Sequence, residues 1–151
     1  MLPGILQILF KRDLSKLRTE ISLYKNPAAI WFTDKAIANS AGNLCLHLVG
    51  NLNTYIGAVL GNTGYVRHRE LEFSLKDIPA SELIGKIDAT IEIVEKTLNL
   101  VTDEKLAAEY PMLVFEHTTT TAYMLTHLAT HLGYHLGQVN YHRRLLDSQE
   151  A

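Results

Sequence analysis

Cysteine is nearly missing from this 151-residue chain: Cys45 is the only one, so no disulfide can close within it. The neighbouring Leu44 and Leu46 predict a buried thiol, and a reducing, cytoplasmic compartment is the expected location. Net charge is also small, -2 at pH 7, which argues against broad attraction to nucleic acid. No apolar stretch is expected to reach the roughly 20 residues that cross a bilayer, so no membrane role is expected. The apolar start "MLPGILQILFKRDLSK" carries its basic residues after the apolar run and shows no small-residue cleavage site, the wrong order for a secretory signal. Also lacking are a phosphate-binding glycine loop, a dinucleotide fingerprint, low-complexity tracts and internal repeats. What remains is a chain 47% hydrophobic and 20% charged, read as one domain over residues 1–151. That length buries a core without help from a structural metal, so a bound metal would serve function.

Alternating strand patterns flanked by tight turns are absent, and helical periodicity dominates, so the expected fold class is all-α. A first helix is expected over about 5–24, with Phe10, Leu14, Leu17, Ile21 and Tyr24 on one face. A second begins after Ser40 as N-cap and closes near Gly61 or Gly64. The segment "NTGYVRHRELEFSLKDIPASE" is longer than usual helix connections and reads as a crossover along a helical bundle. A third helix starts near Ser81, with Leu83, Ile87, Ile91, Val94 and Leu98 as its buried stripe. Asp103 is expected to cap a short turn, and a last helix runs from about Thr119 to Leu146.

The last helix holds four of the seven histidines. With His127 at zero on a helical wheel, His131 falls near 40°, His135 near 80°, Gln138 near 20° and His142 near 60°. Leucines and Val139 fill the adjoining sector, so the imidazoles border the core face. The second helix repeats this arrangement at His47, with Asn51 one turn on. If the two helices pack side by side, His47 closes a three-histidine site with His131 and His135. Three neutral imidazoles suit zinc, nickel, iron or copper and leave a position open for water or substrate. Gln138 and Asn51 could orient the ligands. The competing reading is a hydrogen-bonded polar layer, since burying three unpaired imidazoles costs roughly 2 to 7 kcal/mol per group.

His127 and His142 read instead as helix-end or solvent residues, and His68 and His117 as solvated connector residues. The spacing in "HLGYH" matches a zinc peptidase helix, but Leu132 stands where such a helix needs its glutamate base. Cys45 and His47 point about 160° apart and make no nucleophile pair. Gly133 and Gly137 suggest close approach of another helix, within the chain or across a dimer. Arg67, Arg69, Glu70 and Glu72 read as a solvated charge cluster, with Arg67 or Arg69 available to an anionic substrate.

The segments "NLCLHLVGNLNTYI", "RHRELEF" and "HLATHLGYHLGQVNYHRRLL" together resemble the DinB-like superfamily of metal-binding four-helix bundles. The resemblance implies an up-down-down-up bundle with a crossover between helices 2 and 3, often as a homodimer. It also implies one metal-ligating histidine from helix 2 and two from helix 4, matching His47, His131 and His135. Characterised relatives include thiol-dependent isomerases and transferases, which implies a low-molecular-weight thiol and a small electrophile as partners. The expected function is therefore that of a divalent-metal-dependent enzyme, a thiol S-transferase or a hydrolase, with zinc or nickel ahead of iron. Tyr55, Glu70 and His127 are the available proton acceptors. The alternative is a non-enzymatic metal-binding or dimeric interaction module, or a stress sensor.

Overall fold

The computed structural model describes residues 1–147, and its regular structure is helical. Helix α1 (Leu2–Ser22) buries Leu6, Phe10, Leu14, Leu17 and Ile21. It starts three residues earlier than periodicity suggested because Pro3 lies in the first turn, where its missing N–H costs nothing. A 3-10 turn at Pro27–Trp31 follows, capped by Asn26 accepting from the Ala28 N–H.

Helix α2 (Ala41–Leu52) is N-capped by Ser40, whose hydroxyl accepts from the Asn43 N–H at 3.2 Å. Its axis continues through a π-helical stretch, Asn53–Ala58, into the single turn α3 (Val59–Gly61). Within this widened stretch the Tyr55 carbonyl accepts a hydrogen bond from the Tyr110 hydroxyl at 2.7 Å. The run Ala41–Gly61 spans 21 residues with a mean hydropathy of 1.3, so one segment does have the length and composition to cross a membrane. The sequence expectation is corrected here for a physical reason: 56% of that window is buried inside the protein, as a central helix requires apolar residues on most of its surface.

Between α3 and the next long helix, residues 62–79 contain the short helix α4 (Arg69–Ser74), which packs on α2. Asn43 fastens it there by donating to the carbonyls of Glu72 and Leu75, both at 2.9 Å. Helix α5 (Ala80–Leu98) buries Leu83, Ile87, Val94 and Leu98. In the short α6 (Asp103–Ala107) the cap is Thr102, accepting from Lys105, and not Asp103. Helix α7 (Thr121–Leu146) is capped by Thr120. The long helices α1 and α2 each pack against both α5 and α7. Their leucines, with Phe10, Ile30, Ile56 and Tyr110, form the core. Cys45 lies within it, fully buried, and its thiol is pushed up to about 12 chiefly by burial.

Candidate metal centre

The contact between α2 and α7 brings His47, His131 and His135 together, with one ring nitrogen of each within 4.8 Å of the others. Nε2 of His131 is 3.2 Å from Nε2 of His47 and 3.1 Å from Nε2 of His135. Two imidazole nitrogens sharing a tetrahedral ion at about 2.0–2.1 Å stand roughly 3.3 Å apart. These two spacings match those of nitrogens sharing one ion.

The outward nitrogens decide where the protons sit. Nδ1 of His47 lies 3.1 Å from Glu72 Oε1, and a carboxylate only accepts, so Nδ1 carries the hydrogen and Nε2 a lone pair. Nδ1 of His135 lies 2.6 Å from Gln138 Oε1, with the same consequence. His131 Nδ1 is buried without a partner, so this ring's polar contacts are the other two Nε2 atoms. A single proton on His131 Nε2 could satisfy one of those facing lone pairs and not both. A divalent cation at the meeting point satisfies all three, so these residues fit a metal.

Electrostatics point the same way. The His131 pKa is lowered to about 4, first by burial and then by the neighbouring His135, His47, His127 and Arg67. Burial also lowers that of His47, against an opposing pull from Glu72. Both rings are therefore neutral at pH 7, the form that ligates metal.

Glu72 is the residue that sequence reasoning misplaced. It is 6% exposed, not solvated. Besides His47, it accepts two bonds from Arg67, Nε to Oε2 at 2.8 Å and Nη2 to Oε1 at 2.9 Å. This fork fixes the carboxylate that fixes the histidine. The signal that could have revealed it is Gly50, in the middle of α2. A Cβ there would overlap Glu72 Oε2 and stand 2.7 Å from its Cδ, so the carboxylate occupies the space that glycine leaves open.

His142 was also misjudged as solvent-facing. It is buried, with Nδ1 2.7 Å from the Tyr24 hydroxyl and Nε2 2.8 Å from Phe32 O, and ties α7 to the connector before α2. His127 is half-buried instead of solvated, stacked beside His131 at 6.2 Å with Phe115 at its edge. His68 and His117 are exposed as expected. Asn51 is buried near the ligands in sequence, but its Oδ1 makes no hydrogen bond. Arg69 stands over Phe73 at 5.3 Å, and that ring lies 5.1 Å from His47. Glu70 is exposed, and Tyr55 lies under the Arg67 guanidinium at 5.8 Å. No other helix crowds Gly137, and Gly133 faces only Asp13 at 3.8 Å, so the glycine pair marks a groove and not a tight crossing within the chain.

Residues 14–151 match the family described as "Protein of unknown function (DUF1572)", and the chain belongs to that family. No curated protein matches it.

Proposed function

We propose that this member of the DUF1572 family is a DinB-like four-helix bundle, up-down-down-up, that uses His47, His131 and His135 to bind a divalent transition metal for catalysis. Zinc or nickel suits the three imidazoles best, with iron next. The observation that carries the reading is the convergence of three Nε2 atoms while two of the outward Nδ1 atoms are held by Glu72 and Gln138. The bundle reading is supported by the mutual packing of α1, α2, α5 and α7, with residues 62–79 crossing between α2 and α5.

An ion held by three neutral imidazoles keeps room for a further ligand and would lower the pKa of a thiol or of water. Between thiol S-transfer and hydrolysis we favour the first. Hydrolysis calls for a base at the site: Glu72 is already committed to His47 and Arg67, which leaves His127, half-buried beside His131, as the candidate. A thiol, with an ordinary pKa of about 8.5, needs far less help to ionise. In this scheme Glu72 and Gln138 hold the tautomers and ring orientations of His47 and His135, and Arg67 holds the Glu72 carboxylate in place. A homodimer acting in the cytoplasm on a low-molecular-weight thiol and a small electrophile completes the proposal.

The test is metal analysis by mass spectrometry on untagged protein purified without added metal. About one transition metal per chain is expected, lost in His47→Ala, His131→Ala and His135→Ala and retained in His142→Ala. Absence of metal even after reconstitution, or equal binding by all four variants, would overturn it.

A further inference from the structure

A cavity of about 330 Å³ opens between the 33–40 connector and the C-terminal part of α7, one helical turn beyond His135. Ile37, Ala38, Leu44 and Leu145 give it apolar walls and Asn39, Gln138 and Tyr141 neutral polar ones, and among the described residues no carboxylate, ammonium or guanidinium group lines it. The groove between α1 and α7 is its opposite, edged by Arg12, Asp13, Lys16 and Glu20. His142 does not bring charge into the cavity, because both its nitrogens are occupied by Tyr24 and Phe32 and burial lowers its pKa.

Gln138 joins this cavity to the metal centre. Its Oε1 accepts from His135, while its Nε2 makes no hydrogen bond among the described residues. The cavity therefore offers largely apolar walls with neutral polar groups from Asn39, Tyr141 and Gln138, and the Gln138 donor is the one carried by the amide that meets His135.

We infer that this cavity receives the uncharged, apolar part of the organic substrate, with an oxygen of that group accepting from Gln138 Nε2. That the occupant is a substrate rests on the metal-site reading above; the cavity's chemistry does not. The volume lies at the small end of ligand pockets, which suits a single ring or a short chain. An anionic group would meet no cation on the described lining to offset the water it gives up, so the site favours an uncharged group over a carboxylate. A ligand oxygen on Nε2 restrains the Gln138 amide, and the His135 ring feels its occupancy through Oε1.

The test uses acetophenone, an uncharged ring with a carbonyl acceptor, against benzoate, its anionic counterpart. Both are titrated into isotope-labelled, metal-free full-length protein and followed by NMR. Acetophenone should shift the amides of Ile37, Leu44 and Leu145 and the side-chain amide of Gln138 saturably, and should move the Nδ1 resonance of His135. Benzoate should bind at least about tenfold more weakly. Ala38→Trp, at an exposed position, should fill the cavity and abolish the shifts without unfolding the protein. No saturable shift, equal affinity for benzoate, an unmoved His135 resonance, or binding that survives Ala38→Trp would each overturn the inference. Because the protein is metal-free throughout, these failures are distinct from failure of the metal-site reading, which metal analysis reports.

Discussion

Replacing Gly50 with alanine should perturb the candidate metal centre without touching any of its three histidines. A Cβ at this position would overlap Glu72 Oε2 and stand 2.7 Å from Cδ, so the carboxylate must shift from its seat on α2. Three hydrogen bonds go with it, one to His47 and two from Arg67. Fold stability should change modestly. Net losses of about 1.5–3 kcal/mol attend a charge-assisted bond, but Glu72 and Arg67 can turn to water, and alanine returns about 1 kcal/mol of helix propensity. Metal affinity should change more. Loss of a carboxylate behind a ligating histidine costs about 10–100-fold, or roughly 1.4–2.8 kcal/mol. The assay is zinc affinity by competition with a chromophoric chelator, with Gly137→Ala as control. Gly137 has no atom within 4 Å of its would-be Cβ, so that variant should bind zinc normally and gain up to about 1 kcal/mol in stability. A folded Gly50→Ala protein with wild-type zinc affinity would refute the claim that Glu72 acts through His47.

His142→Gln should lower stability by about 1–3 kcal/mol while retaining metal, because a buried ring satisfying both Tyr24 and Phe32 is lost. The cost should also shrink on acidification. The folded-state pKa of His142 is depressed, so its contribution is complete above the unfolded value of about 6.5 and declines as pH falls below it. Thermal melts of both proteins between pH 7 and 5 check this, and a constant gap would contradict it. Cys45, fully buried with its thiol near 12, should react with a disulfide reagent only at the rate of unfolding; rapid labelling of native protein would place the thiol outside the core. Ser40→Ala should destabilise by about 1 kcal/mol in a urea melt, through loss of the cap on the Asn43 N–H.

The difference between Ser40, which was legible in the sequence, and Glu72, which was not, lies in where their partners sit. Ser40 answers a need created three residues later by its own helix, and the long helices reveal themselves by a repeat that each carries within itself. The three clustered histidines share that advantage in part: wheel angles place His131 and His135 beside the apolar stripe of α7, and His47 beside that of α2. Only the packing of the two helices was left to find. Glu72 and His142 are held by partners that no repeat locates. Glu72 rests on α2 from a connector without periodicity, and His142 reaches the carbonyl of Phe32 in another. Composition marked the first as one more surface charge and position marked the second as a helix-end residue. Yet an indirect trace of Glu72 existed. A glycine in mid-helix costs about 1 kcal/mol relative to alanine, and Gly50 falls in the turn between His47 and Asn51, facing no glycine-requiring bend. A central helix that accepts such a cost beside a candidate ligand has something pressed against its backbone, and in a chain with one long charged crossover, the carboxylates of "RHRELEF" were the groups to suspect.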